Sequence, residues 1–162
     1  MVAADHASSN GAEDRLRGLG VELPPVPKPF GAYVPAVQTG NLLFLTGMLP
    51  LVGHAPRFVG RLGKELDVDA GRGAARLAGL NALAVAREHL GSLDRVTRMV
   101  QLTVFIATSG DAVDQPRVAD GASELFRDVF GAGKMSARVV IGVASLPLGT
   151  PIELAVVLEV AP

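Results

Sequence analysis

ARVVIGVASLPLGTPIELAVVLEV, residues 137–160, reads as two strands joined by a Leu-Pro-Leu-Gly-Thr turn. Ala137 to Ser145 and Pro151 to Val160 are rich in valine and isoleucine, whose branched side chains suit a pleated surface. Side chains reverse at every residue of a strand, so Ile152, Leu154, Val156, Leu158 and Val160 share one face. Glu153, Ala155, Val157 and Glu159 share the other, and both faces are largely apolar. A sheet with helices on one face and a second greasy face needs further cover, which an oligomer supplies.

Working back from these strands, RVTRMVQLTVFIAT, Arg95 to Thr108, reads as a long strand. Between it and the closing pair, Val118, Ala122, Leu125, Phe126 and Phe130 share a helical face over Arg117 to Phe130, before Gly131. Upstream, Ala74, Leu77, Leu80, Leu83 and Ala84 recur at spacings of three and four, which predicts a helix from Asp69 to Leu90, stopped by Gly91. Earlier still, Tyr33 to Gln38 and Leu42 to Thr46 form a hairpin about Thr39-Gly40-Asn41, because the Gly-Asn pair tolerates positive φ. The order ββ, α, β, α, ββ is that of an α+β layer with helices covering one sheet face. In front of it, VELPPVPKPFG is an extended lead-in, since prolines remove donors and fix φ. Glu13 to Leu19 carries helix formers, and the first ten or so residues read as a frayed tail. The ordered core is expected to begin near Ala32. A single domain is expected, with residues 1–29 as tail, short helix and lead-in and 30–162 as the folded unit.

Composition excludes several function classes. A formal charge of -1 gives no general field to gather polyanions, so nucleic acid is an unfavoured partner. With no cysteine there is no disulfide framework, thiolate nucleophile or cysteine-ligated metal. His6, His54 and His89 lack ligand-type spacing, which argues against a metal site or a serine–histidine triad. GRGAAR near residue 71 lacks a preceding strand and offers no phosphate cradle. No stretch is apolar over a membrane-spanning length and no leader segment is visible, so a cytoplasmic protein is expected.

Three side chains stand out as candidates. Arg138 lies early in a strand whose same-face neighbours Val140, Gly142 and Ala144 are short, leaving room for a small ligand beside a planar, bidentate donor. The other reading is an arginine at a strand end, solvated or paired with an acid. Glu153 is a carboxylate inside an apolar strand, costly unless paired or hydrogen-bonded, although strand acids commonly face solvent. Tyr33 is the one tyrosine, and on its own it reads as a core aromatic with its hydroxyl satisfied.

GAYVPAVQTGNLLFLTGMLPL at residues 31–51, TVFIA at 103–107 and ARVVIGVASLPLGTPIELAVV at 137–157 together resemble the ordered signatures of the RidA/YjgF family. This is the reactive intermediate deaminase, or endoribonuclease L-PSP-like, family, and the likeness covers roughly residues 30–160. The resemblance implies a chorismate-mutase-like fold with a six-stranded mixed sheet, two main helices on one face, a homotrimer with clefts between subunits, and no cofactor. It assigns substrate carboxylate binding to Arg138 and water positioning to Glu153. Tyr33, Thr46, Gly47 and Val140 then line the cleft.

The activity it implies is hydrolysis of reactive enamines and imines to keto acids and ammonia, of the 2-iminobutanoate/2-iminopropanoate deaminase type. The alternative is a non-catalytic regulatory protein that binds a small carboxylate-bearing metabolite. The endoribonuclease label finds no lysine cluster or aromatic platform here. Val140 stands where the family has a cysteine or similar small residue, Met48 where it has glutamine, and residues 109–123 form a longer acidic segment, so the chain resembles a divergent branch. If the closing strands paired as a simple hairpin, Glu153 would sit roughly 15 Å from Arg138 at the strand rise. Either the two strands are not direct neighbours, or Glu153 comes from an adjacent subunit.

Overall fold

The computed structural model describes residues 11–162. The expected tail, with His6, lies outside them. The chain runs through α1 (Ala12–Gly18), β1 (Ala36–Thr39), β2 (Leu42–Leu45), β3 (Leu51–Val52), β4 (Ala55–Pro56), α2 (Val68–Leu90), β5 (Val96–Ala107), α3 (Gln115–Phe130), β6 (Ala137–Val143) and β7 (Ile152–Val160). The α+β architecture with a mixed sheet is as the sequence predicts. The strand count differs: the main sheet has five strands, in the order β1-β2-β7-β5-β6, not six, and β3 and β4 form a separate two-stranded ribbon. Pro50 and Pro56 bracket that ribbon, and a proline cannot donate to a ladder, so the segment makes its own short hairpin.

Between the two closing strands lies β5, antiparallel to β7 and parallel to β6. The strands at residues 137 and 152 are therefore not direct neighbours, which is the first of the two options above. Crossing from β5 to β6 is the work of α3, as a parallel connection requires. The alternation of β7 is realised in full: Ile152, Leu154, Val156, Leu158 and Val160 are buried under the helices, and the intervening residues are half-buried on the open face.

Local chemistry sets the helix ends. The Asp67 carboxylate accepts the Ala70 N–H at 2.8 Å, and Gly91, at φ 81°, closes α2 by donating its N–H to the Arg87 carbonyl. The two long helices approach closely because their facing residues are small. A Cβ on Gly121 would collide with the Arg72 backbone, and one on Gly79 would press on Leu125 at 3.0 Å. Core packing is aliphatic, with Phe126 and Phe130 as its largest fully buried side chains.

The core also starts earlier than Ala32. Ala12 and Leu16 of α1 are buried in the same cluster, the Arg15 guanidinium donates to the Phe130 carbonyl at 2.9 Å, and Glu13 accepts the Leu93 N–H at 2.9 Å. No helix among the described residues is long and apolar enough to cross a membrane.

Candidate functional site

The sheet separates the predicted site residues into two groups. Arg138 lies opposite Leu102 in the β5–β6 ladder, and Val140 lies opposite Val104. Leu102 and Val104 are fully buried under the helices, so Arg138 and Val140 share that helix-covered side. There the Arg138 Nη1 donates to the Asp120 carboxylate at 2.7 Å and to the Ser123 hydroxyl at 3.0 Å, both on α3. Its Nη2 and Nε have no partner among the described residues. Along the same face, Val140 and Gly142 line an open groove with Ala112, Val113 and Gln115.

Glu153 lies opposite Phe105, which lies opposite Ile141, and these three side chains occupy the open face. Two strand spacings and three residues along the sheet, each about 10 Å, separate Glu153 from Arg138. Their side chains also leave the sheet in opposite directions. A single chain therefore does not bring the two together.

Glu153 instead meets the N-terminal group. Beyond β2 the chain pairs once more with β7, through the Met48 and Leu154 backbones at 2.8 and 2.9 Å, and this puts Gly47 beside Glu153. A Cβ at position 47 would collide with the Glu153 carboxyl, so the carboxyl occupies the space that glycine leaves. Burial raises the Glu153 pKa above the ordinary glutamate value by desolvating the charged form. Thr46 and Gly47 share a small cavity of about 40 Å³ with Tyr33, Lys28 and Phe30. It is large enough for a few waters.

Tyr33 is not a core aromatic. It precedes β1 instead of opening it, is 47% exposed, and its hydroxyl accepts the Phe30 N–H at 3.0 Å. The Pro-rich lead-in thus forms one wall of the cavity, a role its composition did not announce. Asp120 and Ser123, the partners of Arg138, are the other residues that sequence reasoning passed over. Their spacing of three on one helix face was available, but the docking of that face onto β6 was not. Among the described residues no cluster of three or more histidine, aspartate or glutamate side chains could hold a metal ion.

A family model described as "YjgF/chorismate mutase-like, putative endoribonuclease" matches residues 13–160. Protein TCP17 of Trypanosoma cruzi is 37% identical over 161 residues, covering 98% of this chain and 97% of that protein. A 2-iminobutanoate/2-iminopropanoate deaminase of Dermatophagoides farinae is 28% identical over 134 residues, covering 83% and 90%. Among solved structures, Atu1372 of Agrobacterium tumefaciens, a protein of unknown function, superposes with a TM-score of 0.85 at 34% identity, covering 93% of this chain and 92% of that one. E. coli TdcF with bound serine superposes at 0.60 with 23% identity, covering 84% and 94%.

Proposed function

As this chain belongs to the YjgF/chorismate mutase-like family, we propose that it is an enamine/imine deaminase whose cleft is completed between copies of the chain. The observation that carries this reading is Glu153, a half-buried carboxyl held over Gly47 with its proton affinity raised. A general base works best with a pKa near the operating pH, and desolvation moves this one in that direction.

In the proposed reaction the enamine tautomerises to its imine without help. Glu153 takes a proton from a water as the water oxygen bonds to the imine carbon. The protonated carboxyl returns that proton to the nitrogen, giving a carbinolamine. Glu153 then takes the hydroxyl proton and passes it to the amino group, so that the carbon–nitrogen bond breaks and ammonia leaves as the carbonyl forms. The site supplies position, a proton relay and exclusion of competing nucleophiles. Arg138 receives the substrate's acceptor group, and Tyr33, Thr46, Gly47 and Val140 wall the cleft.

Since Arg138 and Glu153 of one chain lie on opposite faces, a shared cleft needs the arginine of one copy and the glutamate of another. The apolar open face supports such an assembly, and a homotrimer is the arrangement proposed. The serine bound by TdcF and the activity named for the mite relative support a small amino-acid-derived substrate.

The test is keto-acid release from 2-iminopropanoate generated by an amino-acid oxidase. Wild type should accelerate release, and Glu153→Gln and Arg138→Ala should each lower the rate about a hundredfold or more. Binding of 2-oxobutanoate that depends on Arg138, with no acceleration of imine hydrolysis, would instead establish a non-catalytic metabolite-binding protein and overturn the deaminase reading.

A further inference from the structure

The guanidinium that this reading offers to the substrate already has a carboxylate. Arg138 Nη1 and the Asp120 carboxylate are 2.7 Å apart, with 28% and 41% of their side chains exposed. The neighbouring charges on α3 are otherwise engaged: Arg117 pairs with Asp114 and Glu124 with Arg72. Among the described residues of one chain Asp120 forms no ion pair besides that with Arg138, and the Arg138–Asp120 unit has no net formal charge.

Nη2 and Nε, the remaining edge of the fork, make no hydrogen bond among the described residues, and the side chain is partly exposed. At that edge, however, a ligand carboxylate comes within a few ångströms of Asp120, where like charges repel in a partly screened environment. A neutral acceptor, such as an amide, ester or ring carbonyl, takes the same two N–H donors without that repulsion. Discrimination between ligands by an unfavourable charge placed beside an attractive one is a general device of specificity.

We propose that Asp120 is a specificity-determining residue that weakens the preference of this site for a free carboxylate, so that imines or enamines carrying a neutral carbonyl acceptor are taken alongside imino acids. The proposal rests on the reading that Arg138 receives the substrate.

Asp120→Asn tests it, because asparagine keeps the shape and can still accept the Arg138 N–H through its side-chain oxygen. Titration calorimetry with 2-oxobutanoate and 2-oxobutanamide, a charged and a neutral product analogue, compares the two ligand classes. Wild type is expected to bind the amide about as tightly as the acid. Asp120→Asn should tighten the acid about tenfold, equivalent to 1.4 kcal/mol, and leave the amide within about twofold. Ser123→Ala, which removes the neutral partner of the same nitrogen, should leave the acid-to-amide ratio within about twofold.

A ratio unmoved by Asp120→Asn, or moved equally by Ser123→Ala, overturns the role of Asp120 while leaving Arg138 as the receiving group. Full binding of both analogues by Arg138→Ala overturns the parent reading itself.

Discussion

Glu153 is stabilised in its neutral form by burial, and that has a consequence for the folded state. A carboxyl whose folded pKa is raised holds its proton more tightly folded than unfolded, so stability falls as pH rises from the unfolded value, about 4.3, through the folded value. Glu153→Gln removes the charge that burial penalises. The variant should therefore melt at a higher temperature than wild type at pH 7, and the two should converge as pH falls below the ordinary carboxylate range. Thermal melts at pH 4 and pH 7 check this, and a gain that persists in acid would contradict it. Gly47→Ala addresses the same carboxyl by geometry: the clash falls on the flexible end of Glu153, so unfolding stability should fall by roughly 1 kcal/mol while imine hydrolysis drops with the displaced carboxyl. Of these residues Glu153 was the most legible in the sequence, because an acid among Ile152, Leu154 and Val156 breaks an apolar strand. The pairing of Arg138 with Asp120 was not, since it depends on where α3 lands across β6, and no local pattern encodes a helix's docking position.

At the level of elements, α2 and α3 owe their close approach to glycine. Gly121 faces the Arg72 backbone with no room for a methyl group, and backbone cannot yield as a side chain can. Gly121→Ala should lower unfolding stability by roughly 1–3 kcal/mol through overpacking, read from denaturant midpoints. Asp67→Ala, which removes the α2 cap, should cost about 1 kcal/mol. These elements were largely readable: stripe spacing placed α2 and α3, Gly91 and Gly131 marked their ends, and the period of two in β7 predicted its buried face. What was not readable was long-range pairing. The alternation of β7 is the same whether its neighbour is β6 or β5, so local pattern left open the insertion of β5, and with it the separation of Arg138 from Glu153. The burial of α1 escaped for a related reason, since a short helix shows its core contacts only once α2, α3 and the turn at Leu93–Arg95 have formed a surface for it.

For the whole molecule, the open sheet face is the dominant unpaired feature. Phe44, Val139 and Ile141 are 42%, 44% and 40% exposed, and with Val157 opposite Phe44 and Phe105 opposite Ile141 they extend across the sheet. A second copy covering this face would remove apolar area from water at about 25 cal/mol per Å², whereas a glutamate placed there would have to be desolvated. Phe44→Glu and Ile141→Glu should therefore yield folded monomers, seen as a fall in mass by light scattering with the circular dichroism spectrum kept. The substituted positions lie outside the cavity of Tyr33, Thr46 and Gly47, so the monomer retains every side chain assigned to the chemistry. If the cleft draws Arg138 and Glu153 from different copies, hydrolysis should fall with assembly, and mixing the Arg138→Ala and Glu153→Gln chains should restore part of the activity that neither has alone. Activity undiminished in a folded monomer would mean that one chain suffices, and the shared cleft would have to be abandoned.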